Sequence, residues 1–311
     1  MYMRIWFIFS ALLGLITLPS YAAVASDGQP VIPVFSPPGG VYNTSQTVKI
    51  TDATPGVSIY FTTDGDAPKI SSAKYTAPIL VSESLTIRAY AVTHDGAQSE
   101  ADSATYHLLA SVLHRLDVAA TNFRSTSADV QIDVVTQYPV PDTDTQKGVV
   151  YYQRKGTAFQ MAAHIAQDNG QPSPKVYVYS GGTVKLYEKL TNQVTTLSKF
   201  AQYQSWFELG FGASGTDLAK KWDIKYLGSE TINGVKTEKL ELIPIDPAIR
   251  KNVPKATVWM DVDRGVSLKQ VFDEGQGASR TCTYTNIKVN RSLPTDAFTL
   301  KTEPNPTYVN R

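Results

Sequence analysis

The feature that most constrains the fold is Gly148–Val194, where short alternating segments are punctuated by Lys155-Gly156, Asn169-Gly170 and Gly181-Gly182. An antiparallel sheet with one face on a core and one in water needs apolar and polar side chains to alternate with period two. The stretch does this. Val150, Tyr152 and then Arg154 share one face; after the Lys155-Gly156 turn Phe159, Met161, Ala163 and Ile165 share one; and Val184 with Leu186 oppose Thr183, Lys185 and Tyr187. The face meant for the interior is broad, aromatic and marked by one Arg. Such a face needs a cover, and the cover decides what the protein does.

At 311 residues, with 42% hydrophobic and 18% charged, the chain has room for two globular domains. Its 17 Tyr favour strands. A formal net charge of +1 without charge runs argues against a nucleic acid or an anionic surface as partner. The N-terminus reads as an export signal, residues 1–25. Arg4 is followed by the apolar run Ile5–Leu18 and by two small-x-small sites, Ser20-Tyr21-Ala22 and Ala23-Val24-Ala25. That run is shorter than the about 20 residues a membrane span needs. No Cys follows it, so the expected product is an exported, unlipidated, periplasmic protein. The lone Cys282 cannot form an intramolecular disulfide, and it reads as a structural thiol.

The first mature domain, residues 30–106, reads as short strands at Val31–Ser36, Thr47–Asp52, Ser58–Thr63 and Ser84–Val92, separated by Pro/Gly and Asp-Gly turns. That spacing predicts a small β-sandwich. The segments PVFSPPGGVY (33–42), VKITDATPGVSIYFTTDGDAPK (48–69), YTAPI (75–79) and LTIRAYAV (85–92) resemble the immunoglobulin-like domain found near the C-terminus of chitobiases and β-hexosaminidases. Tyr42, Tyr60 and Tyr75 are expected to pack the sandwich, with glycan contact through this domain as the competing reading.

Residues 108–311 form the second expected domain. Leu109, Val112, Leu113, Leu116, Ala119, Ala120 and Phe123 recur at spacings of three and four, one stripe of an amphipathic helix. Strands are then predicted at Asp129–Tyr138, across the stretch described above, and at 222–227, 235–243, 255–262, 267–273 and 280–289, with Pro139–Lys147 as a polar loop. An aromatic helical insertion falls within Ser198–Trp222. The result is one curved antiparallel sheet clasped by helices.

The order of LDVAATNFRSTSADVQ (116–131), GVVYYQRKGTAF (148–159), VYVYSGGTVKLYEKLTNQVT (176–195), LGFGASGTDL (209–218), YLGSETINGVKTEKLEL (226–242) and AFTL (297–300) resembles the LolA/LolB family of periplasmic lipoprotein carriers. The fold class this implies is mainly β: an N-terminal Ig-like sandwich, then an unclosed antiparallel β-barrel, a half-barrel, with an N-terminal helix and a helical lid over an apolar cavity. In that family an Arg at a strand end, usually followed by Pro, latches the lid. Arg154 falls there, with Lys155 in the place of Pro.

The candidate acyl-cavity and lid residues are Val150, Tyr152, Arg154, Phe159, Met161, Val178, Leu186, Tyr203, Trp206, Phe207 and Phe211. An acyl chain offers only apolar surface, so its carrier needs a greasy concavity and not a catalytic constellation. The competing reading of each apolar residue is plain core packing. His94, His107, His114 and His164 show no metal-ligand spacing, and no nucleophile elbow, P-loop or dinucleotide motif occurs. The pairs Asp64/Asp66 and Asp261/Asp263 flank turn glycines and read as turn chemistry. The expectation is a non-enzyme without cofactor that binds lipoprotein acyl chains or a related lipid and meets inner- and outer-membrane sorting partners. The alternatives are an envelope binding or sensor module with a glycan-contacting sandwich, and a secreted glycan-active protein.

Overall fold

The computed structural model describes residues 28–137, 140–156, 158–198 and 208–311. The export signal and the insertion residues Tyr203, Trp206 and Phe207 lie outside these residues. Eight short strands open the described chain: β1 (Val34–Ser36), β2 (Gly40–Tyr42), β3 (Gln46–Thr51), β4 (Ser58–Thr62), β5 (Ala73–Lys74), β6 (Ile79–Val81), β7 (Leu85–Val92) and β8 (Asp102–Leu108). They form two sheets, ordered β1-β3-β6 and β2-β8-β7-β4-β5. Period two decides the packing: on β3 Val48 and Ile50 are buried while Lys49 and Thr51 face water. Val48, Ile50, Val81, Ile87 and Tyr106 fill the space between the sheets. Tyr42 stacks on Tyr106, Tyr60 lies against Tyr90, and Phe61 meets the edge of Tyr75, so all three tyrosines singled out for glycan contact are engaged in packing. Asp64 accepts the backbone N–H of Asp66, as turn chemistry requires.

β8 passes without a linker into helix α1 (Leu109–Asn122), whose stripe buries Val112 and Leu116. Each such burial contributes about 1.5–3 kcal/mol. The remaining elements are β9 (Ser125–Thr136), β10 (Asp142–Lys155), β11 (Ala158–Asp168), β12 (Gln171–Ser180), β13 (Thr183–Glu188), β14 (Gln193–Leu197), α2 (Gly215–Lys221), β15 (Trp222–Ile232), β16 (Val235–Pro244), α3 (Pro247–Arg250), β17 (Lys255–Asp261), β18 (Val266–Gly275), β19 (Ala278–Val289) and β20 (Thr307–Asn310). They make one sheet, ordered β15-β16-β17-β18-β19-β9-β10-β11-β12-β13-β14-β20, whose outer strands do not pair. The architecture is mainly β with an unclosed sheet. Pairing is antiparallel except for β14 with β20.

The sheet curls where the ladder slips. Bulges fall between Lys147 and Gly148 and between Ile165 and Gln167. A Cβ at Gly148 would overlap the His164 carbonyl, so only glycine admits this approach of β10 to β11. The Asn169-Gly170 turn has both residues at positive φ, Asn169 at 49° and Gly170 at 76°, as a two-residue hairpin demands.

Two expectations are corrected. The polar loop expected at Pro139–Lys147 is strand from Asp142 onward. Its threonines and aspartates pair in register with β9, and Thr145 Oγ donates to Asp133 at 2.7 Å, so cross-strand partners outweigh the polar sequence. Asp263 is more than a turn residue: it receives a two-pronged contact from Arg115 of α1, at 2.9 and 2.7 Å.

Candidate functional site

Five inward columns of side chains build the site. β9 contributes Val130 and Ile132, β10 Val150 and Tyr152, β11 Met161 and Ala163, while β18 and β19 bring Gln270, Phe272 and Glu274 and Arg280, Cys282 and Tyr284. With Val253 they line a half-open cavity of about 220 Å³. Its wall is apolar along most of its length. Burial pushes the Cys282 thiol up to about 11, which keeps it protonated and unreactive. Burial likewise raises the Tyr152 and Tyr284 hydroxyls above the ordinary phenol range.

Among the described residues, the segment 209–212 closes one end of the cavity. Phe211 is buried, stacks on Tyr152 at 3.9 Å and 11°, and meets Tyr284 edge-on at 4.9 Å. The backbone on either side is clamped to the sheet: Leu209 O accepts Gln270 Nε2 at 2.6 Å, Gly210 O accepts the Ser267 N–H at 2.6 Å, and Gly212 O accepts Arg154 Nη2 at 2.7 Å. Gln270 Oε1 in turn accepts the Tyr284 hydroxyl at 3.0 Å. A Cβ at Gly210 would overlap Gln270 and Ser267, and one at Gly212 would overlap the Phe123 ring. The two glycines therefore let the loop come close enough to drive Phe211 into the sheet.

The candidate residues separate into groups. Val150, Tyr152 and Met161 line the cavity. Arg154, Phe159 and Phe211 belong to its floor, where Phe159 packs between Tyr152 and Tyr179 and the Arg154 guanidinium lies 5.9 Å from the Phe123 ring. Leu186 is half-buried on β13, opposite Tyr177 and away from the cavity lining. Val178 is a correction. It pairs with Ala162 and lies on the outer face, beside Lys185, Phe298 and Leu300. The run Val176–Tyr179 is apolar on both faces because the C-terminal segment covers the outer one, with His164 Nε2 2.9 Å from Ala297 O, so alternation alone does not choose a side. Phe211 is packed into the floor against Tyr152 and Tyr284.

Sequence reasoning missed Gln270, Phe272, Glu274, Arg280 and Tyr284, all from strands far along the chain. The available signal was parity: on β18 and β19 each alternate residue faces inward, and the polar ones among them interrupt an otherwise apolar set.

A second polar cluster ties α1 to the sheet. Arg115 spans Asp263 and Glu238, and Glu238 also accepts the Tyr226 and Ser229 hydroxyls. Burial works to raise the Glu238 carboxyl, but those two hydroxyls and the charges of Lys236 and Arg115 outweigh it and hold it below the ordinary range. Among the described residues no three His, Cys, Asp or Glu side chains gather in a way that could hold a metal ion. Among them, too, no helix is long and apolar enough to cross a membrane.

The fold and site define a β-sandwich joined to an open half-barrel that encloses a small apolar cavity. Residues 37–103 match the family described as the Chitobiase/beta-hexosaminidase C-terminal domain. An uncharacterized protein of Methanocaldococcus jannaschii is 29% identical over 123 residues, 39% of this chain and 33% of that protein, so the match spans about a third of the relative's length. Among solved structures, an uncharacterized conserved protein of Thermus thermophilus is similar with a TM-score of 0.41 at 15% identity, covering 64% of this chain and 97% of that one. The Mycobacterium tuberculosis lipoprotein LppX gives 0.38 at 16% identity, covering 60% and 100%. A proposed outer membrane lipoprotein-sorting protein domain of Vibrio parahaemolyticus gives 0.36 at 15% identity, covering 60% and 94%. At these scores the likenesses carry no inference about function.

Proposed function

We propose that the protein is a non-enzymatic, periplasmic acyl carrier, with residues 30–106 an accessory sandwich and residues 108–311 the carrying half-barrel. The observation that supports this reading best is the cavity itself: about 220 Å³, walled by Val130, Ile132, Val150, Met161 and Phe272, with its inner polar atoms engaged in clamping the floor. Away from Glu274 and Arg280, such a space offers an incoming chain mainly apolar contact. Burying six methylenes there would gain about 5 kcal/mol, from about 0.8 kcal/mol each. The sequence resemblance to lipoprotein carriers points the same way, and it makes lipoprotein acyl chains and membrane sorting partners the natural cargo and company.

The test is a titration of the delipidated full chain with a dansyl-labelled undecanoic acid, followed by emission. Saturable binding that Met161→Trp abolishes, without lowering the melting temperature, is expected. Absence of saturable binding, or binding indifferent to Met161→Trp, would overturn the reading.

A further inference from the structure

We infer that the cavity takes a single-chain amphiphile with an anionic head, a carboxylate or phosphate, and that Arg280 receives that head. The inference rests on the acyl-binding reading and narrows its ligand. The inward column of β19 runs Tyr284, Cys282, Arg280, from the closed floor to the open end. Across the ladder Arg280 faces Phe272 and Val134, so a charge stands where the alternation of this face would place an apolar side chain. Folding gives little reason for it. Its ion pair, Nη2 to Glu274 Oε1 at 3.0 Å, joins side chains 48% and 28% exposed, and such solvated pairs contribute little to stability.

A guanidinium carries five N–H donors in a planar fork that suits a two-oxygen anion. One contact to Glu274 leaves donors to spare. At the other end Tyr284 donates to Gln270, Gln270 donates to the Leu209 carbonyl, and Arg154, outside the cavity lining, donates to the Gly212 carbonyl, so the polar groups there are engaged with the protein's own backbone and side chains and the chain enters tail first. Size sets the number of chains. A volume of about 220 Å³ among the described residues lies below the about 300–1,000 Å³ of sites that enclose whole small molecules, which suits one chain better than two.

The test is calorimetric titration of the delipidated full chain with decanoate, decyl phosphate, decanol and decyltrimethylammonium below their micelle concentrations, and with a diacyl phosphatidic acid. At least one of the two single-chain anions should bind about tenfold more tightly than decanol or the cation, as one charge-assisted hydrogen bond permits. The stronger of the two distinguishes a fatty acid from a lysophospholipid. R280Q should erase that tenfold and leave decanol binding unchanged, which also reports an intact fold; R280K should keep part of it. Equal binding of anion, alcohol and cation, equal binding of the diacyl lipid, or an unaltered preference in R280Q would overturn the inference while acyl binding stands. If none of these compounds binds, the acyl-carrier reading itself fails.

Discussion

Phe211→Ala probes how the cavity is closed. The ring is buried, stacked at 3.9 Å on Tyr152 and edge-on at 4.9 Å to Tyr284. Truncating a buried Phe costs about 3–5 kcal/mol through lost transfer and a residual void, and each aromatic pair accounts for about 0.5–1.5 kcal/mol of stabilisation beyond area burial. In a domain of this size 1 kcal/mol moves the melting temperature by about 2–4 °C, so a drop of roughly 6–20 °C is expected by calorimetry. The void also lengthens the cavity toward Gly212 and Arg154, so the variant should favour longer chains, with tetradecanoate restoring more thermal stability than decanoate. A melting temperature within 2 °C of the parent, as an about 1 kcal/mol effect would give, or an unchanged chain-length preference, would refute this role for Phe211.

Arg154→Leu removes the bond to Gly212 O and the contact with Phe123, while leucine still packs. Its charged bond is of the kind that contributes about 1.5–3 kcal/mol. Stopped-flow uptake and release of the dansyl acid should change more than the melting temperature does; unchanged transfer rates would contradict the loop-anchoring role. Glu238 and Asp263 are held below the ordinary carboxylate range, Asp263 chiefly by its hydrogen bonds from Arg115. A depressed folded value gives stability that is present above the unfolded values, about 4, and lost as pH falls through the folded ones. Urea midpoints should therefore decline below about pH 4.5, less steeply in Asp263→Asn, and a profile identical in the variant would count against the clamp. Cys282, buried with its thiol raised to about 11, should react with Ellman's reagent only after unfolding; rapid native labelling would contradict its place in the wall.

The alternation of β10 and β11 and the Asn-Gly turns made the half-barrel legible, because each is a local consequence of the residues themselves. Val150, Tyr152 and Met161 were legible for the same reason. The floor was not. Gln270 reaches the Leu209 carbonyl across 61 residues, a meeting set by register between distant strands and not by any local pattern. Val178 was misplaced because Val176–Tyr179 is apolar on both faces, and only the C-terminal segment over the outer face explains why. Asp263 looked like a turn residue because its partner, Arg115, lies 148 positions earlier. The second Arg on the inward face, Arg280, is visible in the sequence only as a basic neighbour of Cys282, because its place across from Phe272 and Val134 is set by register between distant strands.

The most direct test of the central claim is a crystal structure of the full chain soaked with a terminally brominated decanoic acid, with the bromine located by its anomalous signal. The account predicts a bromine deep in the half-barrel, near Tyr152 and Tyr284, and electron density for the carboxylate beside Arg280. A bromine on the outer face near Phe298, or a half-barrel whose interior excludes the acid altogether, would contradict it.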